Sequence, residues 1–360
     1  MVMRRSSKIL VALGVLLLIA AAALRFVIVP AISKLPVELD VRNRYAGVGT
    51  MLNPTALQAG DLTEVFVTDM PVSIDRHTYV SEAHGDTAIV HDNLTVGAPG
   101  GMSMPSNHTY AIDRTTMDSV SAPEGVEVEP HAGMTIGLPI HPDPNTNYQL
   151  YDSAIRASVP MNYIGTGFVS GRAVLNYTVD SRGQLTDTAV LGALPTALPK
   201  AQLTQLAPAL PPEVQARFTP DVLAALPDPV PFTYTAATKF DLAFDKTLGT
   251  PLDGSIDQQV IASVHTDKQV ISIAPVLALQ TKLTAESISS AADTAVSTTR
   301  LLTIGSVLAP ALLAIIGVIL VALGIARRRT STDRPNESTQ STDRIAVADR
   351  TTVDPDLWTS

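Results

Sequence analysis

Arg172-Ala173-Val174-Leu175-Asn176-Tyr177-Thr178-Val179-Asp180 reads as a β-strand with one apolar face. Ala173, Leu175, Tyr177 and Val179 alternate with Arg172, Asn176, Thr178 and Asp180, and only Val174 breaks the pattern. Such alternation predicts a sheet buried on one side. Downstream, 232–240 alternates through Phe232, Tyr234 and Ala236, and 256–264 and 269–273 read as further strands after turns at Gly249 and Gly254. Upstream, residues 62–68, 78–81, 87–91, 109–112 and 126–129 are short, β-branched or aromatic, and separated by turn-forming residues. Residues 98–101 and 141–145 are loops by composition. The expectation is a mostly β head of α+β class over 30–275.

Residues 191–231 depart from this pattern. Nine prolines from Pro195 to Pro231 interrupt a series of Leu194, Leu198, Leu203, Leu206, Leu210, Val214, Phe218, Val222, Leu223 and Leu226. Proline ends a helix at the residue before it, so the insert predicts several short amphipathic helices. Its leucines must be buried, either as a second layer of core or as a lid over an apolar cavity. Residues 276–300 hold no Pro or Gly and predict a helix leading into the next segment.

Two apolar runs flank the head. Residues 9–29 are apolar apart from Arg25, and 301–326 are apolar apart from Thr303 and Ser306. About 20 apolar residues cross a bilayer core. Arg4, Arg5 and Lys8 precede the first run, and Arg327, Arg328 and Arg329 follow the second. Positive flanks stay cytoplasmic, which predicts a hairpin with residues 1–8 and 327–360 inside and about 270 residues outside. Residues 1–24 also read as a cleavable signal peptide, with Ala21-Ala22-Ala23 near the cut. The Ser/Thr/Asp/Arg-rich tail, carrying the lone Trp358, predicts disorder.

Composition excludes several functions. The chain has no cysteine, so thiolate metal sites, disulfides and Cys nucleophiles are ruled out. The head, 31–300, carries 15 basic and 28 acidic side chains, which argues against nucleic acid. No GxSxG, Walker A or HExxH pattern occurs, and Gly165, Gly167 and Gly171 have the wrong spacing for a dinucleotide loop. His77, His84 and His91 are seven apart, a spacing that alternates faces along a strand. These patterns predict no enzyme, metal or cofactor.

Three stretches carry a resemblance. They are Gly137-Leu138-Pro139-Ile140 with Tyr151-Asp152 and Val159-Pro160-Met161-Asn162-Tyr163-Ile164-Gly165, then Gly171-Arg172-Ala173-Val174-Leu175-Asn176-Tyr177, then Leu226-Pro227-Asp228-Pro229-Val230-Pro231. With the two-span hairpin and cysteine-free head, they resemble an actinobacterial membrane-anchored family first known as a domain of unknown function and later headed porin-A. Residues 85–133 offer no firm match. The resemblance implies an inner-membrane protein of mycolate-bearing bacteria with a periplasmic β-rich head. It further implies traffic of a trehalose monomycolate-like envelope glycolipid beside an RND-type exporter. On that reading Leu194, Leu198, Leu203, Leu206, Leu210, Phe218, Leu223 and Leu226 contact lipid. The alternatives are a lipid-free scaffold and a porin, the latter at odds with 4% aromatics and two apolar helices.

Overall fold

The computed structural model describes residues 5–61, 64–266 and 269–329. It divides into two units, Met1–Ala22 with Ala311–Ser360, and Ala23–Pro310. The strands are β1 (Asp40–Leu52), β2 (Phe66–His84), β3 (Thr87–Ala98), β4 (Met102–Asp113), β5 (Gln149–Asp152), β6 (Ala157–Pro160), β7 (Asn162–Val169), β8 (Arg172–Gln184), β9 (Ala197–Leu198), β10 (Val230–Pro231), β11 (Thr233–Asp245), β12 (Pro251–His265) and β13 (Val270–Leu283). Nine of them form one antiparallel sheet in the order β4-β3-β2-β1-β13-β12-β11-β8-β7. β5 pairs with β6, and β9 with β10.

The strand read first lies within β8, with Leu175, Tyr177 and Val179 almost wholly buried. Val174 is buried on the opposite face, beneath Leu248, Leu252 and Ala295. Ala295 belongs to the helix Ala285–Thr303, so this part of β8 is covered on both sides, which explains the break in alternation.

One apolar cluster joins Val90, Tyr110 and Ile112 of β3 and β4 to Leu175, Tyr177 and Phe244 of β8 and β11. β4 and β8 stand seven places apart in the sheet, a separation of about 34 Å if it were flat. The sheet is therefore curled into a half-barrel, and Met117, Met134, Leu138 and Tyr148, from the largely irregular chain between β4 and β5, fill the space between its ends.

Several expectations are corrected. The segments 62–68 and 78–81, read as separate strands, both belong to the single strand β2 from Phe66 onward, and Gly254 lies inside β12 and not in a turn before it. Residues 126–129 form no strand; Glu129 instead bonds the outer edge of β4 through its N–H to the Thr109 carbonyl. The helix expected from 276 starts at Ala285, because Leu277, Leu279, Thr281 and Leu283 alternate inward along β13 between β1 and β12. Thr284 caps that helix by accepting from Ser287 N–H, and the Ser287 hydroxyl accepts from Arg44 N–H of β1. The start of the strand expected at 62–68, the chain before Arg5 and the tail after Arg329 lie outside the described residues.

Helical structure runs from Arg5 to Ile32 and from Ala285 to Arg329, each with one π-type segment, Leu24–Ile28 and Ile304–Leu308. Both helices are long and apolar enough to cross a membrane. Within the first unit they approach closely through glycine: a Cβ on Gly14 would stand 2.7 Å from the Gly317 carbonyl oxygen. Ser7 Oγ donates to the Gly324 carbonyl at 2.6 Å. Small residues at such contacts let helix backbones meet in lipid. Lys8 and Arg327 are exposed at the helix ends, where Arg5, Arg328 and Arg329 are also helical; Arg4 is outside the described residues.

Candidate functional site

The chain leaves β8 after Gln184, and the Asp187 carboxylate then caps the helix Thr188–Gly192 by accepting from Ala189 and Val190 N–H. It returns to the sheet through β10. Between them lie the short helices Lys200–Leu206, Pro212–Gln215 and Pro220–Ala225, punctuated by proline as expected. Among the described residues, few polar bonds hold this segment to the sheet. Phe232 N–H donates to the Thr196 carbonyl, Arg217 Nη2 donates to the Val270 carbonyl at 2.9 Å, and the Tyr234 hydroxyl donates to the Pro195 carbonyl. Burial pushes the Tyr234 phenol up to about 12.

Apolar contact does the rest. Leu203, Leu210 and Leu226 are 2–5% exposed and pack with Val264, Ile273 and Ala274 of β12 and β13. Phe218 and Leu223 are half-buried against the same cluster. Leu198 joins Leu57 and Val65, with Leu206 half-buried beside them. Leu194 packs on a third cluster around Tyr234 and Val260.

Of the eight side chains expected to contact lipid, Leu198, Leu203, Leu206 and Leu210 line one small apolar crevice. Phe218, Leu223 and Leu226 lie beside it in the neighbouring cluster, and Leu194 lies apart. The opposite wall comes from Leu52, Leu57, Phe66, Phe232 and Ile273, none of which the sequence singled out for this role. Leu57 belongs to the helix Pro54–Ala59, capped by Asn53. The Asn53-Pro54 pair is the helix-start signal that could have revealed it. The crevice volume is about 40 Å³. A water molecule occupies ~30 Å³ in the liquid, so the leucines largely fill the space beneath the insert. A larger groove of about 620 Å³ lies elsewhere, with exposed Thr115, Asp118, Asn147 and Gln149 among its walls.

A buried polar network also escaped the sequence reading. Arg76 pairs with Asp92 through two bonds of 2.7 and 2.8 Å, and Thr78 donates to the same carboxylate. His108 Nδ1 lies 2.7 Å from Glu129 Oε2, and Tyr151 donates to Glu129 Oε1. Burial raises the Tyr151 and Tyr110 phenols. Ser106 Oγ stands 2.9 Å from His108 Nε2, a nucleophile-and-base distance. Its hydroxyl, however, donates to Asp187 Oδ2 at 2.8 Å and so fastens the base of the insert to β4.

The evenly spaced histidines have separate partners: His77 meets Asp40, His84 meets Glu82, and His91 meets Ser81 and Thr109. Gly165 and Gly167 lie on β7, with a bulge at Gly165, in a strand and not in a strand-to-helix turn.

The chain combines a β-rich unit with two helices long and apolar enough to cross a membrane, an arrangement consistent with a membrane-anchored protein. The chain belongs to the family described as Porin PorA, whose model matches residues 6–326. The comparison with curated proteins found no match. Among solved structures, the chain is similar to the full-length peroxisomal multifunctional enzyme type 2 from Drosophila melanogaster, at 10% identity, 69% of this chain, 37% of that chain and a TM-score of 0.13. It is also similar to a hot dog fold protein of unknown function from Alicyclobacillus acidocaldarius, at 14% identity, 69% and 81% coverage and a TM-score of 0.12. A MaoC-like dehydratase follows at 9% identity, 68% and 74% coverage and a TM-score of 0.13. Likenesses at these scores carry no argument about fold or activity.

Proposed function

We propose that this is a non-enzymatic protein anchored in the inner membrane, with its head outside and both termini in the cytoplasm, that takes an apolar chain of an envelope lipid beneath the Leu/Pro-rich insert. The supporting observation is the crevice itself: four insert leucines face an apolar wall under a cover that few polar bonds fasten. At about 40 Å³ the crevice is too small for an acyl chain, so capture requires the insert to move outward. Exposing one buried leucine costs ~1.5–3 kcal/mol, whereas each lipid methylene buried returns ~0.8 kcal/mol. A long chain can therefore replace the contacts that the leucines give up. The lipid class, a trehalose monomycolate-like glycolipid passed to an RND-type exporter, rests on the family resemblance. Orientation rests on the basic flanks.

The chain has no native cysteine, which allows a direct test. A Leu57→Cys/Leu206→Cys pair, drawn from one cluster, is expected to lock the insert when oxidised and to abolish lipid recovery from the full-length protein, with recovery restored by reductant. Equal lipid recovery in both redox states contradicts the proposal.

A second reading is a lipid-free scaffold, favoured by the near-complete burial of Leu203, Leu210 and Leu226. The porin reading has less support. The sheet ends at β4 and β7 without their pairing, and an open edge in hydrocarbon leaves backbone groups unsatisfied.

A further inference from the structure

We infer that the β7–β8 hairpin is a third membrane contact, with Phe168 seated in the interfacial layer of the leaflet nearest the head. This rests on reading the two apolar helices as membrane spans, and it is independent of lipid capture. β7 is an edge strand with two highly exposed apolar side chains: Phe168 is 81% exposed and Ile164 63%. Such a strand is an aggregation hazard in water unless something covers it.

The position of the hairpin identifies the cover. Arg172 pairs opposite Val169 at the hairpin end, and its Nη2 donates to Thr299 Oγ1 at 2.8 Å. Nε of the same guanidinium donates to buried Asp245 at 2.7 Å. Val169 and Leu302 pack on one cluster with Leu248 and Leu252. Thr299 lies two residues before the apolar run begins at Leu301, about 3 Å along a helix axis. The same unit exposes Leu301, Val307 and Leu308 on one helix and Phe26 and Val27 on the other. The hairpin end thus stands level with the place where the helices turn lipophilic.

Charge agrees with that placement. Lys246 N–H donates to the carbonyl of Ala173, the residue opposite Phe168, and the Lys246 side chain is exposed. Arg300 is exposed one residue before the run. Among the described residues neither forms an ion pair, so both are free to meet anionic headgroups. An aromatic residue flanked by cations is the composition of an interfacial anchor.

The test uses single-tryptophan variants of the full-length chain, in a Trp358→Phe background, in vesicles of phosphatidylcholine and phosphatidylglycerol with brominated acyl chains. Phe168→Trp and Ile164→Trp are expected to emit at shorter wavelength and to lose at least about half their intensity to the bromolipid. Val270→Trp, at the start of β13 and at the other end of the strands, is expected to keep its emission. Leu312→Trp, inside the second apolar helix, reports the span itself. Quenching at Leu312→Trp without quenching at Phe168→Trp overturns the hairpin contact and leaves the spans standing. A blue-shifted but unquenched Phe168→Trp also overturns it and assigns the strand to a protein surface or a second copy. No quenching at Leu312→Trp overturns the membrane reading and the contact with it.

Discussion

Tyr234 of β11 donates its phenolic hydrogen to the carbonyl of Pro195, joining the wall of the crevice to the chain that covers it. The bond exists only while the phenol is protonated. Burial raises this phenol from 10.0 to about 12, so the fold favours the neutral form. That stabilisation is complete below pH 10 and is lost as pH rises through about 12. Tyr234→Phe is expected to flatten the alkaline fall in thermal stability across this window. An unchanged fall, followed by the unfolding midpoint against pH, removes Tyr234 from the account.

The leucines of the insert separate by burial. Leu203→Ala should destabilise the head by about 2–3 kcal/mol, because the cavity it leaves lies against Val264 and Ile273. Leu206 is half-buried at the crevice, so Leu206→Asp should block lipid recovery while unfolding within about 1 kcal/mol of the parent. Denaturant titration paired with lipid extraction distinguishes the two. If Leu206→Asp unfolds the head as readily as Leu203→Ala, the residue is core and the crevice has no function.

Much of this architecture was legible beforehand because it rests on local periodicity. Residues 172–180 showed a strand with one apolar face, the prolines of 191–231 divided the insert into short helices, and the apolar runs marked two helices long enough to cross a membrane. Three features were illegible for physical reasons. Residues 276–283 lack turn residues, and only pairing with β1 and β12 makes them a strand. The curl of the sheet brings β4 to β8, and no spacing along the chain encodes that contact or the wall of the crevice. The polar network is similar: Asp92 and Arg76 are sixteen residues apart and meet only through the β2–β3 pairing.

Arg76 and Asp92 therefore supply a sharp stability test. Asp92→Ala leaves a guanidinium without its carboxylate in a largely dry setting, at a cost of about 3 kcal/mol. Replacing both together, Arg76→Met with Asp92→Leu, should recover most of that loss. Equal losses for the single and double variants would show that the pair itself, and not the stranded charge, sets the stability.

In the helix pair, Gly14 and Gly317 leave no room for a side chain. Photo-leucine in place of Val11 should crosslink readily to the segment around Gly324, since Val11 Cγ2 lies 2.6 Å from where a Cβ on Gly324 would stand. Adding Gly14→Leu should reduce crosslinking at least about tenfold by forcing the backbones apart. Undiminished crosslinking contradicts glycine-mediated packing.

The most direct measurement is photo-crosslinking of the full-length protein in vesicles containing a glycolipid whose acyl chain carries a diazirine near its end, with adducts mapped by peptide mass spectrometry. Lodging of the chain beneath the insert predicts adducts on Leu198, Leu203, Leu206 or Leu210 and on the facing Phe66 or Phe232. Adducts confined to residues 9–29 and 301–326 would contradict it.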